Sequence, residues 1–233
     1  MKTSSEIFKA WNPRAATEVD QPTIVALKIT SPSTMHPPHD ANREARILGY
    51  ARHARVVPLI ETFNQPGGRL NLVFPFMPYD LDRLLHQEHL QPTTQKQILR
   101  DVFAGLAHLH NLDIIHRDIK PSNILLASAT GPAYLADFGI AWSATDATSE
   151  PPNGKILDVG TTCYRPPELL FGNANYGHSL DLWAAGCVAA QVVCLGDKTL
   201  FDSGDLGSEL ALIKSIFETL GTPDLNIWPV RLP

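Results

Sequence analysis

Long hydrophobic runs are missing from this 233-residue sequence. The most apolar stretch, Leu180 to Leu195, is broken by Asp181, Gly186 and Gln191. It falls short of the roughly 20 residues a membrane span needs, so it predicts a buried core helix instead. The first residues, MKTSSEIFKAW, hold no apolar stretch of the kind a secretory leader carries. Cysteine is scarce: Cys163, Cys187 and Cys194 are odd in number and follow no metal-ligand spacing. Reduced thiols in the cytoplasm or nucleus are the natural reading. Positive charge is in deficit, with a net charge of −5 and scattered basic residues. Neither a nucleic acid nor a membrane surface is expected as a partner. Internal repeats and long low-complexity segments are absent. The hydrophobic share of 44% is enough for a sizeable core.

Ile24 to Ile29 (IVALKI) is rich in β-branched residues and predicts a strand. Asp40 to Arg52 predicts a helix with Asp40 as its N-cap, after the Pro-rich approach SPSTMHPPHD. Val56 to Phe63 and Leu70 to Phe76 predict strands on either side of a turn at Gln65-Pro66-Gly67-Gly68. Farther on the pattern becomes helical. Thr93 to Asn111 places Ile98, Leu99, Val102, Phe103, Leu106 and Leu109 on one face. Ser179 to Leu195 and Ser208 to Leu220 predict two more helices. Between Leu112 and Glu168 only short strand-like pieces occur, and loops that long are usually functional or mobile. The expected fold class is α+β. A small β-rich lobe over 1–77 joins a larger helical lobe over 78–233, with the seam near Met77 to Asp80.

Three segments carry residue types suited to phosphoryl chemistry. In His116-Arg117-Asp118-Ile119-Lys120-Pro121-Ser122-Asn123, Asp118 can accept the proton of an attacking hydroxyl. Lys120 can neutralise charge on a transferring phosphoryl group, and Asn123 offers a neutral oxygen to Mg2+. A hard cation needs oxygen ligands from more than one segment, and Asp137-Phe138-Gly139 supplies the second. A hairpin of Ile124 to Ala127 with Ala133 to Ala136 would bring Asn123 and Asp137 back together. In Val25-Ala26-Leu27-Lys28 a lysine on an apolar strand can reach phosphates, and Glu44 on the next helix is the carboxylate to hold it. Singly, each piece has a bland explanation: a turn, a strand-edge lysine, a surface glutamate. The set in this order, on these element types, does not.

With these residues the sequence resembles the eukaryotic protein kinases over essentially its whole length, and within them the cyclin-dependent kinase group. Gly160 to Glu168 (GTTCYRPPE) resembles that group's substrate-binding segment, and Asp181 to Cys187 its large-lobe core helix. Leu200-Phe201, Leu210 to Ile216, Leu220 to Pro223 and Trp228-Pro229 are similar to its later pattern. The resemblance implies ATP and Mg2+ as cofactors and a protein Ser/Thr hydroxyl as acceptor. It implies catalytic roles for Asp118, Lys120, Lys28 and Glu44, and metal ligation by Asn123 and Asp137. Phe74 would be the gatekeeper, with Pro75, Phe76 and Met77 as the hinge. The Pro75 carbonyl and the Met77 N–H would meet adenine, which Ile7, Ala26 and Leu125 would sandwich, and Asp80 would reach the ribose. Proline is tolerable at 75 because that contact uses the carbonyl. Thr161 would bond to both Asp118 and Lys120, the Ser/Thr-specific form of the loop. Arg165 hints at a taste for proline after the target residue. The peptide-holding segment from Thr161 to Glu168 disfavours a small-molecule kinase.

Four departures qualify the resemblance. Ser5 falls at the third position of the family's glycine-rich loop and Lys2 at the second, which weakens close approach to phosphates. The matching segment begins inside the small lobe and ends before the last helices, so a chain incomplete at both ends is expected. Glu168 would then lack the arginine it pairs with in the family, leaving a buried charge at a cost of about 3–5 kcal/mol. The usual phosphothreonine position is Ile156, so activity is expected not to require phosphorylation there; Thr145, Thr148 and Ser149 could substitute, although loop hydroxyls are more often plain polar loop. Of the cyclin-contacting helix only Arg43-Glu44 is kept, which implies a cyclin-independent kinase or an unusual partner. These last two departures, with Gly207 to Leu210, resemble the fungal single-subunit CDK-activating kinases, whose substrate is another CDK. The competing reading is a truncated kinase-like module that binds partners without catalysis.

Overall fold

The computed structural model describes residues 5–13, 23–87 and 90–224. Lys2 and Trp228-Pro229 lie outside the described residues. The first sheet is antiparallel and contains β1 (Glu6–Trp11), β2 (Ile24–Thr30), β3 (Glu61–Gln65) and β4 (Arg69–Pro75), in the order β1-β2-β4-β3. Its register sets Ile7 opposite Lys28 and Ala26 opposite Phe74. Side chains alternate along a strand, so these four share one face of the sheet. The turn between β3 and β4 bends through Gly67 and Gly68, with φ of 85° and 74°. Both angles are left-handed and suit glycine.

The strand expected from Val56 begins later, at Glu61. Val56 and Val57 are buried against the helical lobe instead, and the Val57 N–H donates to the Leu135 carbonyl at 2.9 Å. Pro58 next to them has no N–H to offer a ladder. Helix α1 (Ala41–Tyr50) starts where expected: the Asp40 carboxylate accepts from the Arg43 N–H at 2.9 Å. Its inward face buries Ile47 and Leu48, and with them Glu44.

The helical lobe follows with β5 (Tyr79–Asp80), α2 (Leu81–Gln87), α3 (Pro92–Asn111), β6 (Ile114–Ile115), β7 (Ile124–Leu126), β8 (Ala133–Leu135) and β9 (Trp142–Ser143), then α4 (Pro167–Leu170), α5 (Ser179–Ala190) and α6 (Glu209–Leu220). β5, β7 and β8 form a second sheet, and β6 pairs with β9. The hairpin expected through 128–132 is the β7–β8 pair. On α3, Ile98, Val102, Leu106 and Leu109 are buried, but Phe103 is 41% exposed. At 3.6 residues per turn Phe103 sits about 140° round from Ile98. Asp101 and Gly105 are buried on the inward side instead. A Cβ at Gly105 would lie 2.9 Å from Leu135 Cδ1, so glycine lets β8 close on the helix. Asp101 accepts from the Ala133 N–H at 3.0 Å and pairs with Arg55 Nε at 2.7 Å.

α5 continues into a π-helical turn at Gln191–Leu195. Ser208 caps α6 by accepting from the Ala211 N–H. Glu168 corrects one expectation. It is half-buried and accepts from Ser179 Oγ at 3.2 Å, so the buried-charge penalty does not arise. Among the described residues, no helix is long and apolar enough to cross a membrane.

Candidate active site

The catalytic-loop backbone is fixed before its side chains act. Asp181, fully buried near the start of α5, accepts from the His116 and Arg117 N–H groups, both at 2.9 Å. His110 Nε2 lies 2.9 Å from the same carboxylate. Buried His116 reaches the Ala136 carbonyl through Nε2 at 3.0 Å and meets the Phe138 ring edge-on at 4.7 Å. Arg117 and Asp137 hold left-handed backbones, with φ of 71° and 64°. Such strain in non-glycine residues costs on the order of 1–3 kcal/mol each and needs this dense support.

On that frame Asp118 stands half-buried. Its Oδ1 accepts from the Thr161 hydroxyl at 2.9 Å and the Thr161 N–H at 3.1 Å. Lys120 Nζ is 2.8 Å from Asp118 Oδ2 and donates to Thr161 Oγ1 at 2.8 Å. Asn123 Nδ2 donates to Asp118 Oδ2 at 3.0 Å, which leaves the amide oxygen of Asn123 for another partner.

The second constellation joins the lobes. Lys28 Nζ lies 2.8 Å from both Glu44 oxygens and 2.8 Å from Asp137 Oδ1. Burial pushes the Lys28 ammonium down, but Glu44 and Asp137 outweigh it and hold its pKa above the usual lysine value. For Glu44 burial wins over the Lys28 charge and raises the carboxyl. For Asp137 desolvation raises the carboxyl, but the charge and hydrogen bond of Lys28, with His116 and the Gly139 N–H, together hold it below the usual value. Its carboxylate keeps 53% of its side-chain surface open, toward the cleft.

A mostly apolar cleft of about 240 Å³ lies between the lobes. Ile7, Ala26, Phe74, Pro75, Met77 and Leu125 line it, and Lys28, Glu44, Asn123 and Asp137 close its inner end. A hollow of about 250 Å³ adjoins it, sharing Lys28, Glu44 and Asp137 and adding Ser5, His39 and Asp118. Asp80 is not among the lining residues; it caps α2, accepting from the Arg83 N–H at 2.8 Å. Thr161 and Arg165 border Asp118 on the far side. Arg165 Nε donates to the Gly160 carbonyl at 2.9 Å, and its Nη atoms reach Glu209 and Asp158 at 2.7 Å. A larger hollow of about 440 Å³ beside α2 and the π-helical turn lies apart from these groups.

The residues fit a Mg·nucleotide. Asn123 and Asp137 present hard oxygens at one end of an apolar slot, beside a fixed ammonium. No cluster of three or more His, Cys, Asp or Glu side chains suited to a metal occurs among the described residues. A cation here would complete its shell with phosphate and water oxygens, as Mg2+ prefers.

Sequence reasoning left Asp181 without a role, although a charge in an otherwise apolar helix is a readable signal. It also passed over His39, on the wall of the adjoining hollow, and Glu150, which pairs with Arg117 at 3.2 Å. Nothing local marks either of those two.

Comparison with known proteins agrees with this geometry. The protein kinase domain family matches residues 13–227. The chain is 36% identical over 210 residues to the serine/threonine-protein kinase csk1 of Schizosaccharomyces pombe, covering 88% of this chain and 67% of that protein. It is 38% identical to cyclin-dependent kinase 7 of Xenopus laevis, covering 81% of this chain and 51% of that one. It is 35% identical to the CTD kinase subunit alpha of Schizosaccharomyces pombe, covering 80% and 30%. The chain thus spans between about a third and two thirds of these relatives. Among solved structures, a chain of the yeast RNA Pol II CTD kinase CTDK-1 complex superposes with a TM-score of 0.78 at 30% identity, covering 96% of this chain and 68% of that one. A bilobal fold, a lysine–glutamate–aspartate contact across a nucleotide-sized cleft and a family match over nearly the whole sequence lead to one conclusion: the chain belongs to the protein kinase family, among its cyclin-dependent-kinase-related members.

Proposed function

We propose that this chain transfers the γ-phosphoryl group of Mg·ATP to serine or threonine hydroxyls of a protein. The Lys28 contact with both Glu44 and Asp137 carries the reading, because it is the arrangement a bound triphosphate needs. Adenine fits the apolar slot between Ile7, Ala26 and Leu125, against Phe74 and the Pro75–Met77 backbone. Lys28 holds the α- and β-phosphates while Glu44 keeps its ammonium in place. Asn123 and Asp137 would hold Mg2+, which would supply charge neutralisation for the triphosphate. Asp118 orients the acceptor hydroxyl and takes its proton as the new O–P bond forms and the β–γ bridging P–O bond breaks. Lys120, held by Thr161, faces the negative charge on the transferred group.

A phosphotransfer assay with Asp118→Asn tests this. The wild-type chain is expected to transfer phosphate, and the variant to lose on the order of a hundredfold or more in kcat while still binding Mg·ATP. ATP binding without transfer by the wild-type chain would favour the second reading, a kinase-like binding module. Ser5 in place of a glycine, on the wall of the hollow beside Lys28 and Asp137, is what supports that alternative.

The finer proposal is a CDK-activating kinase working without a cyclin in a reducing compartment, the cytoplasm or nucleus. Ile156 at the usual phosphosite and the altered approach to α1 support it. So does the latching of α1 from within the chain, where Arg46 pairs with Asp146 at 2.7 Å. Three free cysteines suit reducing conditions. Failure to phosphorylate the activation-loop threonine of a CDK would remove the CDK-activating role. The Gly160 carbonyl already accepts from Arg165, so it is not available to an N–H of the residue after the target. Proline has no such N–H. A CDK-activating role does not need that preference, and paired Ser-Pro and Ser-Ala peptides separate the two.

A further inference from the structure

We infer that Glu150 is a positioning residue: its carboxylate supplies, from the sequence itself, the negative charge on the activation segment that position 156 cannot acquire by phosphorylation. The inference deepens the kinase reading above and rests on it.

The Arg117 side chain is fully buried. Its Nε donates to the Ile140 carbonyl at 2.6 Å and its Nη1 to Tyr176 Oη at 2.9 Å. Both Nη atoms donate to Glu150, at 3.2 to 3.3 Å. Among the described residues, Glu150 is the carboxylate paired with this buried cation. A guanidinium taken out of water is tolerated when a counter-charge and hydrogen bonds satisfy it, and removal of the counter-charge is strongly unfavourable. Arg117 directly precedes Asp118, and Ile140 follows Asp137 by three residues. Glu150 therefore acts on the proton acceptor and on the metal-facing aspartate through one side chain.

The segment around Glu150 is held by contacts that involve no phosphate. The Glu150 carbonyl accepts from Trp142 Nε1 at 2.8 Å. Lys155 is buried, sits 4.7 Å from the Trp142 ring centre, and donates to the Tyr176 and Pro152 carbonyls. Tyr176 Oη donates to the Ile156 carbonyl at 2.7 Å. The Ile156 side chain packs on a cluster with Ile115, Trp142, Val159 and Leu169. Position 156 is thus anchored by apolar burial, and the charge sits six residues earlier. The three hydroxyls considered as substitutes are already engaged. Ser149 Oγ accepts from the Ser143 N–H, Thr145 Oγ1 meets Ser143 Oγ, and Thr148 Oγ1 lies between Asp40 and Asp146. A phosphate on Thr148 would face those two carboxylates at close range and compete with Asp146 for Arg46, whose Nη2 donates to the Thr148 hydroxyl at 3.0 Å.

The test compares the wild-type chain, before and after phosphatase treatment, with Glu150→Gln and Glu150→Asp. Phosphatase treatment is expected to leave wild-type activity unchanged. Glu150→Gln is expected to lower kcat at least about tenfold with KM for ATP within about twofold, and Glu150→Asp to recover part of the loss. Native trypsin cleavage after Lys155 is read in parallel and needs no activity. It is expected to be at least about tenfold faster in Glu150→Gln than in the wild type, with Glu150→Asp in between. Wild-type kcat in Glu150→Gln, unchanged cleavage in both variants, or inactivation of the wild type by phosphatase would overturn the inference. A wild-type chain that transfers no phosphate would count against the kinase reading, and the cleavage rates would still decide whether Glu150 holds the segment.

Discussion

At Glu44 a carboxylate with 2% of its side chain exposed faces one ammonium. Neutralising it leaves Lys28 buried with only the half-open Asp137 as counter-charge. Glu44→Gln is expected to cost about 3 kcal/mol in urea unfolding and to lower phosphotransfer on the order of a hundredfold. Asp146 is a second carboxylate under strong constraint. Two Arg46 bonds first, then the Thr148 hydroxyl and N–H, hold it well below the usual carboxylate range. A carboxyl depressed in the folded state stabilises above its ordinary pKa and loses that contribution as pH falls below it. The melting temperature is therefore expected to drop as pH is lowered through the usual carboxylate range and below. Asp146→Asn should flatten that acid limb, and an unchanged limb would remove the latch. Asp118 and Asn123 were legible as candidates because they stand five residues apart in one segment, and Lys28 and Asp137 because of their immediate neighbours in Val25–Lys28 and Asp137–Gly139. Glu150 was not, because its partner Arg117 lies 33 residues away, and the charge of Asp181 was readable while its partners, 64 and 65 residues away, were not. Only the fold brings such pairs together.

Among the elements, β2 followed from its β-branched residues, α1 from its cap and α3 from its periodicity, and with α6 their boundaries shifted by at most a few residues. The β3 start did not follow, since Val56 and Val57 look strand-like but are claimed by the opposite lobe. Phe103 misled for a related reason: periodicity counts apolar residues, while packing on α3 selected the side where Gly105 admits β8. Gly105→Ala tests that choice. Its Cβ would also stand 3.0 Å from the Arg55 carbonyl, which is backbone and yields little. The variant is expected to lose about 1–3 kcal/mol of stability despite the better helix propensity of alanine. Calorimetry showing a gain would mean the helix and hairpin are free to separate.

For the molecule as a whole, the Lys28 contacts and the apolar slot span both lobes, so a nucleotide should weld them. Mg·ATP at a hundred times its Kd is expected to stabilise the chain by about 2.7 kcal/mol. Lys28→Met should lose most of that shift, and an equal shift in variant and wild type would place the nucleotide elsewhere. The two-lobe order and the candidates for handling phosphate and proton were set by the sequence, since residue chemistry and local spacing are local properties. Tertiary structure decided which charges meet. Asp80 went to a helix cap, Glu168 to a surface serine, and a loop glutamate to the buried arginine beside Asp118. Such pairings depend on which cations are taken out of water, and burial of that kind is a property of the packed chain.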